Sequence, residues 1–299
     1  MDLGTVTAFR RPTTRDDLAL GTHERFLGGG SWLFSEPQVG VVGLVDLTAL
    51  GWPSLVASDS GLSVAATCTF AELAAWMPPS EWRAGSLFRQ CCTALLGSFK
   101  VWNVATVGGN ICLALPAGPM TSLAASLDAT AVVWHPDGSE RRERVLDLVI
   151  GVESTTLGPG EVLRSVEFPA ATLNSRTGYR KIALSPLGRS GTLVIARLDD
   201  DDTFVVTVSA GTTRPVQLRW DGMPAADELE DAVRMIDCWY DDAHGAPDWR
   251  AAMSALLAEE LRRELGGVAS GGSSGGTASG DTASGGGSSG SAALGGVHS

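Results

Sequence analysis

Apolar positions change rhythm along this chain, and the change predicts its organisation. Residues 39–47 and 62–68 are continuous apolar runs bounded by turn residues, the pattern of buried strands. Thr69-Phe-Ala-Glu72 is a capping box in front of a short helix at 70–77, and 86–99 reads as a second, longer helix. Residues 104–118, VATVGGNICLALPAG, place two glycines and an asparagine inside an apolar run that would otherwise continue a strand. After them come a helix at 120–127, a strand at 131–134, a tight turn at His135-Pro-Asp-Gly138 and a charged strand at 140–145. A further strand at 161–169 is stopped by its proline.

From residue 178 the pattern becomes three strands in a row, 178–184, 192–198 and 203–210, the last two joined by four aspartates at 199–202. Consecutive strands with short turns imply an antiparallel meander. Two helices follow. Leu229, Val233, Ile236 and Tyr240 share one face of the first; Trp249, Met253, Leu256, Leu257 and Leu261 share one face of the second. The expected organisation is therefore α+β, with a first domain over 1–172 and a smaller α+β domain over 176–265. Gly and Ser fill 22 of the 34 positions of 266–299, which predicts a disordered tail.

Composition narrows the function. A formal charge of −12 gives no basic stripe for a phosphate backbone, so DNA and RNA are excluded as partners. No window approaches the roughly 18 uninterrupted apolar residues of a membrane span. The N-terminus lacks the apolar core of a secretory signal, and the five cysteines are odd in number with Cys91 and Cys92 adjacent. Both features suit reduced thiols and a cytoplasmic location.

Two glycine-rich segments carry the candidate chemistry. In Phe26-Leu-Gly-Gly-Gly-Ser-Trp-Leu33, three glycines let backbone N–H groups converge on an anion, and Ser31 adds a hydroxyl. Taken alone, such a run is more often a plain turn. Thr106-Val-Gly-Gly-Asn110 again joins a hydroxyl, two glycines and an amide. As a pair they suit a long dinucleotide. Neither segment is a P-loop or a G-x-G-x-x-G fingerprint, so Walker ATPases and Rossmann dehydrogenases drop out. The four scattered histidines and the cysteine spacing give no zinc or iron–sulfur site. Cys91 and Cys92 read as core residues, and Cys112 as a buried strand thiol.

LGGGSWL resembles the AGGTDL-type loop, and ATVGGNI the T-I/V-G-G-N loop, of the FAD-binding (medium) subunits of molybdenum hydroxylases such as carbon monoxide, xanthine and nicotine dehydrogenases. The similarity continues through Ser126-Leu-Asp-Ala129, resumes at 157–169 and at Tyr179-Arg-Lys181, and ends in a closing helix at 243–265. The resemblance implies a two-part PCMH-type FAD-binding domain followed by a small domain of three antiparallel strands and helices. It implies non-covalent FAD, with Leu27, Gly28, Gly29, Gly30, Ser31 and Trp32 along the pyrophosphate. Thr106, Gly108, Gly109 and Asn110 would contact the nucleotide, and Leu163 and Lys181 the flavin.

The implied function is an electron-transfer oxidoreductase subunit of a heteromer. Molybdopterin would sit on a large partner subunit and [2Fe–2S] clusters on a small one, with electrons leaving to NAD, oxygen or a quinone. Two positions depart from the family pattern. Pro116-Ala-Gly-Pro119 stands where the family has P-x-x-D, and Trp32 where it has an acid. Two other readings stay open at this point: a self-contained flavin oxidase, and a non-catalytic assembly subunit that has lost FAD.

Overall fold

The structure is a computed structural model that describes residues 3–185 and 188–267; the expected Gly/Ser tail lies, from 268 onward, outside the described residues. Strands β1 (Ala8–Arg10), β2 (Glu24–Leu27) and β3 (Gly43–Asp46) form a parallel sheet in the order β1-β3-β2. The run read as a strand from 39 pairs only from Gly43. Gly40 turns the chain at φ 83° just before it.

Strands β4 (Leu55–Ser58) and β5 (Gly61–Ala65) begin a second sheet. Helix α1 (Phe70–Ala75) follows, opened by the expected capping box: Glu72 N–H donates to Thr69 Oγ1 at 3.2 Å, and Thr69 N–H to Glu72 Oε2 at 2.8 Å. The helix expected at 86–99 divides into α2 (Ser86–Ala94) and α3 (Phe99–Trp102), because Leu95 is extended and Gly97-Ser98 cannot carry the helix across. Helices α4 (Val107–Leu113) and α5 (Pro119–Ser126) come next, then β6 (Thr130–Trp134) and β7 (Glu140–Arg144). After α6 (Val145–Leu148) and the small ribbon β8 (Val149–Gly151) and β9 (Ser154–Thr155), strand β10 (Val162–Pro169) returns between β5 and β6. The sheet order is β4-β5-β10-β6-β7, antiparallel throughout.

Helix α7 (Ala170–Leu173) leads into the last sheet. Strands β11 (Arg176–Ile182), β12 (Thr192–Leu198) and β13 (Phe204–Ser209) form the expected meander, and a fourth strand, β14 (Val216–Trp220), extends it. The three-stranded expectation is corrected to four. Alternating Val216, Leu218 and Trp220 pack on the core while Arg219 reaches solvent, so β14 is a half-buried edge strand only five residues long.

Helices α8 (Ala226–Arg234) and α9 (Pro247–Leu265) cover one face of this sheet, against Val194, Ala196, Phe204, Val206 and Val208. Leu193, Ile195 and Ala210 instead join the main core with residues of β5, α2 and α5. Strands β12 and β13 are thus buried on both faces. Helix α8 stops at Arg234, leaving Ile236 and Tyr240 beyond it. The buried stripe of α9 runs through Arg250, Ser254, Ala258 and Leu261, and Leu256 is exposed. A charged residue displaces that stripe, because Arg250 is held inside by Asp242 and by the carbonyls of Gly245 and Ala210. Among the described residues no helix is long and apolar enough to cross a membrane.

Candidate functional site

The two glycine-rich segments meet. A Cβ on Gly29 would stand 1.3 Å from the carbonyl oxygen of Val104, and one on Gly28 would stand 2.8 Å from Thr106 Oγ1. No side chain fits at position 29 while the segments touch. The first requirement on these glycines is therefore contact between two parts of the chain, beneath any ligand.

The first segment leaves β2 after the buried Leu27 and makes one helical turn, in which Phe34 N–H donates to Gly30 O at 2.9 Å and Ser35 N–H to Trp32 O at 2.8 Å. The opening amides of such a turn have no partner behind them. Among the described residues, no backbone N–H from Gly28 to Leu33 meets a protein acceptor. Ser31 is exposed beside them, and Trp32 is 40% exposed. Six amides without a protein acceptor and a hydroxyl, with no carboxylate in the run, are a donor set that fits a diphosphate.

The second segment is not the expected loop in a strand setting but a helix. Thr106, 3% exposed, is the N-cap of α4 and accepts from Gly109 N–H at 3.1 Å. Val107 N–H donates to Cys68 O, Gly108 N–H to Ala66 O and Asn110 N–H to Thr106 O, at 2.8, 2.8 and 3.0 Å. All four amides of this first turn are taken, so α4 offers no backbone donor to an anion. Gly108 is enclosed: a Cβ there would lie 2.4 Å from that of Ala66. What remains open is the Asn110 Nδ2 group, since its Oδ1 accepts from Met120 N–H at 2.9 Å.

One face of α4 is open, through Gly109 and Cys112, while Val107, Gly108 and Ile111 are buried. Cys112 is exposed on this helix, which corrects the expectation of a buried strand thiol. Desolvation by the surrounding protein nevertheless pushes its thiol up to about 12.

The remaining expected residues are spread. Leu163 is buried in β10 opposite Val133 and belongs to the main core. Lys181, half-buried, has no carboxylate partner among the described residues. It pairs with Leu193, and Leu193 pairs with Ser209, whose hydroxyl lies 2.6 Å from that of Ser122 on α5. By strand alternation Lys181 shares the Tyr179 face of β11, the face that packs towards α5, rather than the Arg180 face bound to Glu260 and Glu264 of α9. Pro119, where the resembled family has an acid, is buried as the first residue of α5.

A recess of about 260 Å³ lies elsewhere, lined in part by Arg15, Leu18, Trp134, His135 and Val162. None of the expected site residues lines it. Among the described residues no group of three His, Cys, Asp or Glu side chains is placed to hold a metal. Sequence reasoning missed Met120 as the group that orients Asn110. Its signal was Gly118-Pro119, a helix start with no capping side chain of its own.

Comparison with known proteins agrees with the expected family and fold. The family described as "FAD binding domain in molybdopterin dehydrogenase" matches residues 11–171. The glyceraldehyde dehydrogenase medium chain of Sulfolobus acidocaldarius is 30% identical over 104 residues, which is 35% of this chain and 35% of that relative's own length. Quinoline 2-oxidoreductase from Pseudomonas putida 86 superposes with a TM-score of 0.73 at 20% identity, covering 86% of this chain and 96% of that one. Reconstituted CO dehydrogenase from Oligotropha carboxidovorans gives a TM-score of 0.74 at 20% identity, covering 87% and 97%.

Proposed function

The chain belongs to the family of FAD-binding domains of molybdopterin dehydrogenases, and on that premise we propose that it is the flavoprotein subunit of a heteromeric molybdenum hydroxylase. The observation that carries this reading is the contact of Gly28 and Gly29 with Thr106 and Val104, which brings the two glycine-rich segments together.

In this reading the amides from Gly28 to Leu33, with Ser31, hold the diphosphate, and Leu27 anchors the loop in its sheet. Asn110 faces the nucleotide beside Gly109, while Thr106, buried as the cap of α4, and Gly108 form the packed base beneath. Lys181 supplies a positive charge from the neighbouring sheet, and Leu163 supports the site from the core. Trp32 offers an aromatic surface where relatives carry charge. When bound, FAD supplies the electron-carrying chemistry between [2Fe–2S] clusters on a small partner subunit and NAD, oxygen or a quinone. Substrate oxidation belongs to a large molybdopterin subunit. Five unpaired cysteines support a cytoplasmic location for the complex.

Purification of the chain with FAD, followed by visible absorption, tests the reading. One flavin per chain, with iron–sulfur and molybdenum subunits co-purifying from the native host, is the expected result. A colourless protein that resists reconstitution would sink it in favour of an assembly role. Direct reduction of the isolated flavoprotein by a small organic substrate would favour a self-contained oxidase.

A further inference from the structure

We infer that residues 95–104, together with the turn that carries Trp32, form the docking face for the iron–sulfur partner subunit: an apolar surface without carboxylates, edged by Lys100. The inference rests on the reading of the chain as a flavoprotein subunit and adds to it the place where the electron donor sits.

Charge is missing from this part of the chain. Of all residues 19% are charged, yet between Arg89 and Asp128 the only charged residue is Lys100, and between Arg25 and Glu36 there is none. The two stretches meet where Gly29 touches the carbonyl of Val104. Around that contact the surface is apolar: Phe99 is 73% and Leu96 64% exposed, and Val104 and Trp32 are exposed beside them. The exposure is built in. Leu95, Val101 and Trp102 pack on the main core, while Trp102 N–H donates to Ser98 O and Asn103 N–H to Phe99 O, both at 3.1 Å, so helix α3 is held with Phe99 in solvent. An apolar, aromatic and charge-depleted patch has the composition of an interface core.

Position and charge select the occupant. Electrons reach a flavin from a donor docked beside it, and this face adjoins the glycine-rich segments of the candidate FAD site. A [2Fe–2S] centre held by thiolates is a net anion, and a chain with a formal charge of −12 repels an anion over most of its surface. Here it does not. Residues 95–104 hold no carboxylate, and Lys100 is exposed with no carboxylate partner among the described residues. A partner that brings an anionic cluster and an acidic rim meets attraction at Lys100 and no repulsion around it.

Three variants of the full chain, each co-produced with its partner subunits, test the face. F99D sets a carboxylate in its middle, K100E reverses its charge, and M235D puts an acid on an exposed apolar residue at the end of α8 as a control. All three should hold as much FAD as wild type and melt within about 2 °C of it. F99D should weaken binding of the iron–sulfur subunit about tenfold or more, and M235D should leave it unchanged. K100E should weaken it about threefold at low salt and less at high salt. Wild-type affinity in F99D overturns the inference, as does a loss confined to the molybdopterin subunit or to self-association of this chain. A wild-type chain that takes FAD but no iron–sulfur subunit refutes the proposed function itself, whereas a normal complex that tolerates F99D refutes only the docking face.

Discussion

Arg197 Nη2 lies 2.6 Å from Asp128 Oδ2, joining the C-terminal end of α5 to the middle of the last sheet. Arg197 is 1% exposed, and its Nη2 also donates to Asp199 Oδ2 at 3.2 Å. Asp128, just past α5 with φ 51°, also receives Gln217 Nε2 at 2.9 Å and Arg219 Nη2 at 2.8 Å. The L-D-A end of α5 is therefore a structural joint. Removing the carboxylate strands a buried guanidinium, at a cost of about 3 kcal/mol or more. D128A should show that loss in urea denaturation, and a loss below about 1 kcal/mol would mean Asp199 alone suffices.

Acid should weaken the fold through two carboxylates. Burial alone would raise Asp128, but the charge of Arg197 and hydrogen bonds from Gln217, Arg197 and Arg219 hold it below its ordinary value. Hydrogen bonding from Arg141, against the effect of burial and with help from Gly158 N–H, holds Glu161 at about 2. Both folded values lie below the unfolded range of about 3.9–4.3. Their contribution is complete above that range and is lost as pH falls through it towards the folded values. Denaturation measured from pH 7 down to 3 should find stability level at first and declining below about pH 4. A rise on acidification would contradict this, and E161Q should flatten the decline.

Gly29→Ala places a methyl group into the Val104 carbonyl. Overpacking of this kind costs about 1–3 kcal/mol, and here the clash is with backbone that has no rotamer to yield. The variant should melt several degrees lower and lose FAD binding more severely than stability. Retained FAD affinity would show that the contact between segments does not assemble the site.

Cys112 should be the most readily alkylated thiol of the native protein, because Cys68, Cys91 and Cys92 are buried and Cys238 is half-buried. Its raised pKa makes the reaction slow near pH 8 and about tenfold faster per pH unit above it. Mass spectrometry after iodoacetamide treatment reads the site of modification. Saturating FAD should slow labelling; equal rates with and without FAD would place the cofactor away from the open face of α4.

Much of the fold was legible in sequence because it depends on local pattern. The capping box at Thr69 and Glu72, the strand Thr192–Leu198 and the start of α5 near residue 120 need only neighbours to explain them. Two local patterns misled. The glycines at 108 and 109 read as a loop, yet they occupy the first turn of α4, where packing on Ala66 and the Thr106 cap offset their poor helix propensity. Of the face expected on α9, Leu257 and Leu261 are buried, whereas Arg250 and Ser254 replace Trp249 and Met253 in the interior, because periodicity has no means of assigning Arg250 there.

The sequence by itself determined the family, the α+β class and which segments carry the candidate site, since motif and periodicity are properties of adjacent residues. Only the tertiary structure decided which groups of those segments are open. Among the described residues the amides of Gly28 to Leu33 meet no protein acceptor and those of Val107 to Asn110 are taken, because the acceptors for the latter belong in part to Ala66 and Cys68. Asn110 keeps one end of its amide because Met120, ten residues on, claims the other. Hydrogen-bond satisfaction is settled by which groups meet in space, and that meeting is fixed when the sheets and helices pack.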